Sequence, residues 1–123
     1  MATVFANAGK AIVANRIKGD GTEPKYVAWG TGAGTAAVTD TTLFTEASEA
    51  RTAGTSSIVT TTLTNDTYKV VGTIACAGAG KTITNAGLFD AAAAGNMLVK
   101  GDFTGVVLNV GDTIQFTITL KQA

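Results

Sequence analysis

Residues 113–121 read TIQFTITLK, in which Ile114, Phe116, Ile118 and Leu120 alternate strictly with Thr113, Gln115, Thr117, Thr119 and Lys121. Successive side chains of a strand point to opposite faces, so a period of two predicts an antiparallel strand with one face in a core and one outside it. A helix would scatter the same apolar residues around its circumference. The last strand therefore sets the expectation for the rest of the chain, which is rich in threonine and glycine and has one proline.

Upstream, SSIVTTTLTNDTYKVVGTIACAG (56–78) contains two extended stretches, Ser56 to Thr64 and Thr67 to Ala77, joined at Asn65 and Asp66. Asn and Asp tolerate the left-handed backbone of hairpin turns, so a β-hairpin is expected, with a Thr-rich first arm. TITNAGLFDA (82–91), the small-residue turn AAAAGN and MLVKGDF (97–103) predict a second hairpin closing on Gly95 and Asn96. KYVAWG (25–30) reads as a strand after the turn GDGTEP, and TGAGTAA (31–37) as a loop. Thr39 or Asp40 offers an N-cap for one helical turn that folds Leu43 and Phe44 onto the core as a lid. From Thr3 to Lys18, Val4, Phe5, Ala8, Ala11, Ile12 and Ile17 are spaced for an amphipathic helix, capped by Thr3 and stopped by Gly19.

Short strands with turns every few residues predict a mainly β fold, an antiparallel β-sandwich or barrel-like domain with one N-terminal helix. One domain over 1–123 is expected, with 1–19 as helix or arm and 25–122 as the sandwich. Tyr26, Trp29, Phe44, Phe89, Phe103 and Phe116 are spread one per element, as a single core requires.

Composition excludes several function classes. Nine basic and nine acidic residues cancel and no run of one sign occurs, which removes the field that draws nucleic acid or anionic lipid. With no histidine and only Cys76, no disulfide framework and no zinc site is expected, and Asp90, Asp102 and Asp112 lack the spacing of a calcium loop. No apolar run is long enough to cross a bilayer, and MATVFANAGK lacks an export signal, so synthesis in a host cytoplasm without export is expected.

The stretch CAGAGKT (76–82) approaches a phosphate-binding loop, but its head position is Ala75 rather than glycine, and a strand rather than a helix follows Lys81. It reads instead as a hairpin tip in which Gly78 and Gly80 supply positive φ and Lys81 keeps the tip soluble. Cys76 reads as a small buried hydrophobe, and Glu46, Glu49, Asp90, Asp102 and Asp112 as turn residues rather than paired catalytic carboxylates. No enzyme activity, cofactor or small-molecule substrate is expected.

The segments PKYVAWGTGAG, DTTLFTEASEART, VVGTIACAGAGKTITNAGLFDA, GNMLVKGDF and NVGDTIQFT together resemble a group of small virion proteins of tailed bacteriophages, capsid decoration (cement) proteins also labelled tail-fibre-like. The resemblance implies a virion protein on the capsid exterior that binds the major capsid protein as a homotrimer and bridges its subunits. Contacts are then expected from the N-terminal segment and the loops 31–37 and 91–96, with Thr31, Gly32, Ala33, Gly34, Thr35, Ala91, Ala92, Gly95 and Asn96 as interface residues. The alternative it implies is a tail-fibre or tail-associated protein that binds a receptor or carbohydrate. The absence of long repeats and of a shaft favours decoration over fibre.

Overall fold

The computed structural model describes residues 1–122. Eight strands, β1 (Thr3–Phe5), β2 (Tyr26–Gly30), β3 (Thr52–Ala53), β4 (Thr55–Val59), β5 (Thr67–Ala75), β6 (Lys81–Phe89), β7 (Met97–Leu108) and β8 (Thr113–Lys121), accompany one helix, α1 (Asn7–Lys18). They form two antiparallel sheets, a larger one ordered β1-β7-β6-β2-β3 and a smaller one ordered β4-β5-β8. The expected β-sandwich with a single helix near the N-terminus is what forms.

The core lies between the sheets. Val27 and Trp29 of β2, Ile83 and Leu88 of β6, and Val99 and Leu108 of β7 cluster with Val70 and Ile74 of β5 and with Cys76, buried as expected. Fully burying one such large side chain contributes about 1.5–3 kcal/mol, so this layer is the main stabilising term. Trp29 is 1 % exposed and meets Phe116 of β8 edge-on at 6.4 Å, with Phe103 on the other side of Phe116 at 6.3 Å. The alternation in TIQFTITLK places Ile114, Phe116, Ile118 and Leu120 against this cluster, but only half-buried, because β8 is the edge of a three-stranded sheet.

The aromatic residues do not share one core. Tyr26 and Phe89 are paired across β2 and β6 and pack with Ala6, Ala28, Leu43 and Met97 in a second cluster. By strand alternation Tyr26 and Ala28 lie on the opposite face from Val27 and Trp29, so this cluster is on the outer face of the larger sheet. The segment between β2 and β3 runs over it as a strap. Leu43 is buried there as the expected lid, but no helical turn forms: Thr45 has φ 51° and Glu46 makes a single bridge to Gly30. A Cβ on Gly30 would sit 2.5 Å from the Phe44 carbonyl oxygen, so glycine is what admits the strap.

Three local expectations are corrected. Thr3 is not a helix cap: residues 3–5 pair with β7 (Thr3 with Gly101, Phe5 with Val99), and α1 starts after Ala6 without a side-chain cap. In the larger sheet β7 offers an unpaired edge, and the ladder formed there outcompetes three extra helical residues. Gly9, Ile12 and Val13 turn inward, whereas Ala11 and Ile17 face solvent; Gly19, at φ 91°, ends the helix as expected.

The hairpin between β4 and β5 exists, but its first arm stops at Val59. The Asp66 carboxylate accepts the N–H groups of Thr61, Thr62 and Leu63 and the hydroxyls of Thr61 and Thr67, which closes residues 60–66 into a loop. These bonds, led by that from Leu63, hold Asp66 well below the usual carboxylate range against the opposing pull of burial. The β6–β7 hairpin forms as expected, its tip closed by Asp90 N–H to Asn96 O (3.1 Å) and Asn96 N–H to Asp90 Oδ1 (2.7 Å), with Ala94 and Gly95 at positive φ.

CAGAGKT is not a hairpin tip. β5 pairs with β4 and β8, and β6 with β7 and β2, so residues 76–80 carry the chain from the smaller sheet to the larger one. Gly78 has the expected positive φ (81°); Gly80 does not, and its bare backbone instead lets Leu108 approach, 3.0 Å from where a Cβ would be.

Candidate functional site

Several buried polar and charged side chains tie the strap to the sandwich. Asn85 of β6 and Lys100 of β7 lie on the outer face, where register sets Gly30 opposite Asn85 and Gly87 opposite Lys100. Asn85 grips both main-chain groups of one strap residue: Phe44 N–H donates to its Oδ1 (3.0 Å) and its Nδ2 donates to Phe44 O (3.1 Å). Lys100 Nζ donates to Asp40 Oδ2 and Thr42 O, both at 2.9 Å, and sits 3.2 Å from the centre of the Phe44 ring. The bond from Lys100 holds the Asp40 carboxyl below its ordinary value, aided by the Ala37 N–H. Asp102 is not a turn residue but a strand residue of β7, accepting from Ala36 N–H (2.7 Å) and Ala2 N–H (3.2 Å).

The far end of the strap is fixed twice more. Glu49 accepts from Trp29 Nε1 and Ala77 N–H, both at 3.0 Å, and forms an ion pair with Lys81. Lys81 is thus the counterion of a carboxylate that is 5 % exposed, not a solubilising residue at a loop tip. Arg51 meets Glu46 bidentately at 2.9 Å, donates to Ala91 O and Ala94 O, and stacks over the Phe89 ring at 3.7 Å. Asp112 accepts from Asn109 N–H in the β7–β8 turn, as expected of a turn aspartate.

Burial pushes the Glu49 carboxyl upward, but the bonds from Ala77, Lys81 and Trp29 together outweigh it and hold the pKa at about 2, against 4.5 for a free glutamate. A folded-state pKa below the unfolded one contributes stability above the unfolded value and loses it as pH falls. The melting temperature is therefore expected to fall between pH 4.5 and about pH 2, and Glu49→Gln to melt lower at neutral pH with a shallower acid decline. Melting curves at stepped pH test this; an unchanged slope in Glu49→Gln would remove Glu49 from the explanation.

The expected interface residues fall at two places. Thr31, Gly32, Ala33, Gly34 and Thr35 follow β2 at its Gly30 end, whereas Ala91, Ala92, Gly95 and Asn96 follow β6 at its Phe89 end. Tyr26 is opposite Phe89 and Gly30 opposite Asn85, so the two loops lie at opposite ends of the larger sheet and do not make one patch. Both are largely exposed, the second anchored by Arg51. Lys100, inside MLVKGDF, and Asn85, inside TITNAGLF, bring a charge and an amide into strand segments, but nothing in the sequence names the strap that pairs with them.

No group of His, Cys, Asp and Glu side chains suited to a metal ion occurs among the described residues. All eight aromatic side chains are buried or half-buried; the half-buried Phe103 and Phe116 line a groove with Thr3 and Gly101. The exposed large apolar side chains are aliphatic, and two of them, Ile17 and Ile58, border a groove of about 540 Å³ between α1 and the smaller sheet, together with Tyr68 and Leu120.

No curated protein and no solved structure matches the chain. One family model does, that of the podophage GP4 fiber I protein gp80, over residues 9–121, from the first turn of α1 to the last residue of β8. With a β-sandwich whose polar interior is spent on its own strap, this match favours the fibre reading at least as well as the decoration reading: the chain belongs to the podophage GP4 fiber I protein gp80 family, a family of bacteriophage structural proteins.

Proposed function

We propose that this chain is a fibre-associated component of a phage tail, acting through protein–protein contacts and carrying out no reaction. The family match over nearly the whole sandwich carries this reading. The geometry supports it: Glu49, Asp40, Lys100, Asn85 and Asp102 are all engaged in internal bonds that tie the strap to the sandwich. Neutral, Thr-rich faces suit repeated weak contacts between virion proteins, where many small joints add through multivalency.

The capsid-decoration reading is the second, favoured by the exposed row Thr113, Gln115, Thr117 and Thr119 beside Thr73, a polar, Thr-rich face whose only charges are Lys69 and Lys121 among the described residues and which suits contact with a protein lattice. There the partner is the major capsid protein and the location the capsid exterior. Gold-labelled antibody against the chain, viewed on intact particles, separates the two. Label at tails is the expected result, and label over heads, with loss of heat resistance in particles lacking the protein, would replace the first reading by the second.

A further inference from the structure

The sandwich has four edge strands, and three are short: β1 has three residues, β3 two and β4 five. Short edges are one way natural sheets avoid pairing with other chains. β8 is the exception, with nine residues, no proline or glycine, no bulge against β5, and a single charge at its end, Lys121.

Its free side can be worked out from the ladder. Gln122 N–H donates to Asp66 O and Cys76 N–H to Asp112 O, both at 2.8 Å, so the bonded pairs of β5 and β8 include Asp66 with Gln122 and Cys76 with Asp112. Bonded and non-bonded pairs alternate along an antiparallel ladder. Tyr68–Leu120, Val70–Ile118, Gly72–Phe116 and Ile74–Ile114 are then the bonded pairs in between. The main-chain N–H and C=O groups of Thr113, Gln115, Thr117, Thr119 and Lys121 consequently point away from β5, and among the described residues no hydrogen bond reaches them.

The side chains beside this edge are also incompletely covered. Ile114, Phe116, Ile118 and Leu120 are half-buried, and a groove of about 230 Å³ is lined by Phe116 and Ile118 together with Thr3, Gly101 and Phe103 of the larger sheet.

What fits this edge is indicated by its own sequence. Laid antiparallel on itself about Thr117, TIQFTITLK sets Thr117 opposite Thr117, Gln115 opposite Thr119 and Thr113 opposite Lys121, with Phe116 opposite Ile118 and Ile114 opposite Leu120. Every polar residue then faces a polar one and every apolar residue an apolar one. The two lysines fall at opposite ends, so no like charges meet, and all the outward main-chain groups find partners at once. A slip by two residues leaves one end of each strand unpaired.

We propose that β8 pairs antiparallel with β8 of a second copy, about a two-fold axis at Thr117, joining the two smaller sheets into one continuous sheet. The pairing forms about ten main-chain hydrogen bonds and covers the half-buried apolar row. It does not depend on whether the protein sits on a tail or a head, and it makes an even-numbered assembly, in contrast to the trimer expected of decoration proteins.

The test is the solution mass of the full chain by light scattering at about 100 µM, where a modest edge contact is populated. Wild type is expected at twice 12.4 kDa. Thr117→Lys, which sets two lysines against each other at the axis while leaving the fold's interior untouched, is expected at the single-chain mass, and mixing it with Thr117→Glu restores the double mass. Thr73→Lys, on the same face but on the central strand β5, is expected to stay dimeric.

Oxidation then checks the register. Opposed residues of a bonded pair have Cα atoms about 5.5 Å apart, within disulfide range, so Thr117→Cys is expected to cross-link quantitatively. Thr113→Cys, whose copies lie about 27 Å apart at 3.4 Å per residue, is expected not to. Buried Cys76 makes the unmodified chain the control. A single-chain or triple mass for wild type, a double mass for Thr117→Lys, or equal cross-linking of the two cysteine variants would each overturn the proposal.

Discussion

Trp29→Ala is expected to lower the unfolding free energy by about 3–5 kcal/mol, the range for deleting a buried large aromatic side chain. That is a large share of the ~5–15 kcal/mol that holds a domain of this size folded. Trp29 is 1 % exposed, lies between the sheets against Phe116, and donates Nε1–H to Glu49. The alanine variant thus leaves a cavity in the core and strips one donor from a carboxylate that is 5 % exposed. Trp29→Phe separates the two effects, keeping most of the ring while losing the N–H, and is expected to cost about 1–3 kcal/mol. Urea unfolding followed by circular dichroism reads both as midpoint shifts at unchanged slope. An alanine variant within 1 kcal/mol of wild type would mean that the sheets close over the gap and that Trp29 is not the anchor between them.

Asp40→Ala is the second large expected loss, about 3 kcal/mol, and it acts through its partner. The side chain of Lys100 is 0 % exposed, and removing the carboxylate leaves its ammonium with only Thr42 O and the Phe44 ring. Breaking one member of a buried pair typically costs about 3–5 kcal/mol. The lower end applies because Asp40 itself is 23 % exposed and water can replace part of what is lost. Adding Lys100→Met removes the stranded charge while keeping a chain of similar length, so the double variant is expected to recover most of the stability. If single and double variants unfold at the same urea concentration, the stranded charge is not the cause of the loss.

The two variants probe the two layers of the molecule, and these layers were unequally legible in the sequence. The layer around Trp29 was readable because β8 is built on a strict alternation and β2, β5 and β6 on β-branched and aromatic runs between turn residues. A period-2 pattern survives whatever the strand pairs with, since it reports only that one face is buried. The strap was not readable. Leu43 announced itself as a lid, but its anchors are Asn85 and Lys100, more than 40 residues away along the chain, and nothing local distinguishes a lysine that pairs with Asp40 from one in solvent.

The sequence alone determined that this is a mainly β, net-neutral chain without histidine, with one N-terminal helix ended by Gly19, and that CAGAGKT lacks the leading glycine of a phosphate-binding loop and runs into a strand. Those properties follow from local geometry and composition: side-chain period, turn chemistry, the absence of histidine, the missing glycine at Ala75. Tertiary structure alone decided that CAGAGKT crosses between sheets, that Thr3 joins β7 rather than capping α1, that Lys81 neutralises Glu49, and that β8 is left with an open edge. Each of these depends on which strand lies beside which. Pairing partners are chosen by the combined burial of both sheets and the satisfaction of distant main-chain groups, and the residues of any one segment do not encode that choice.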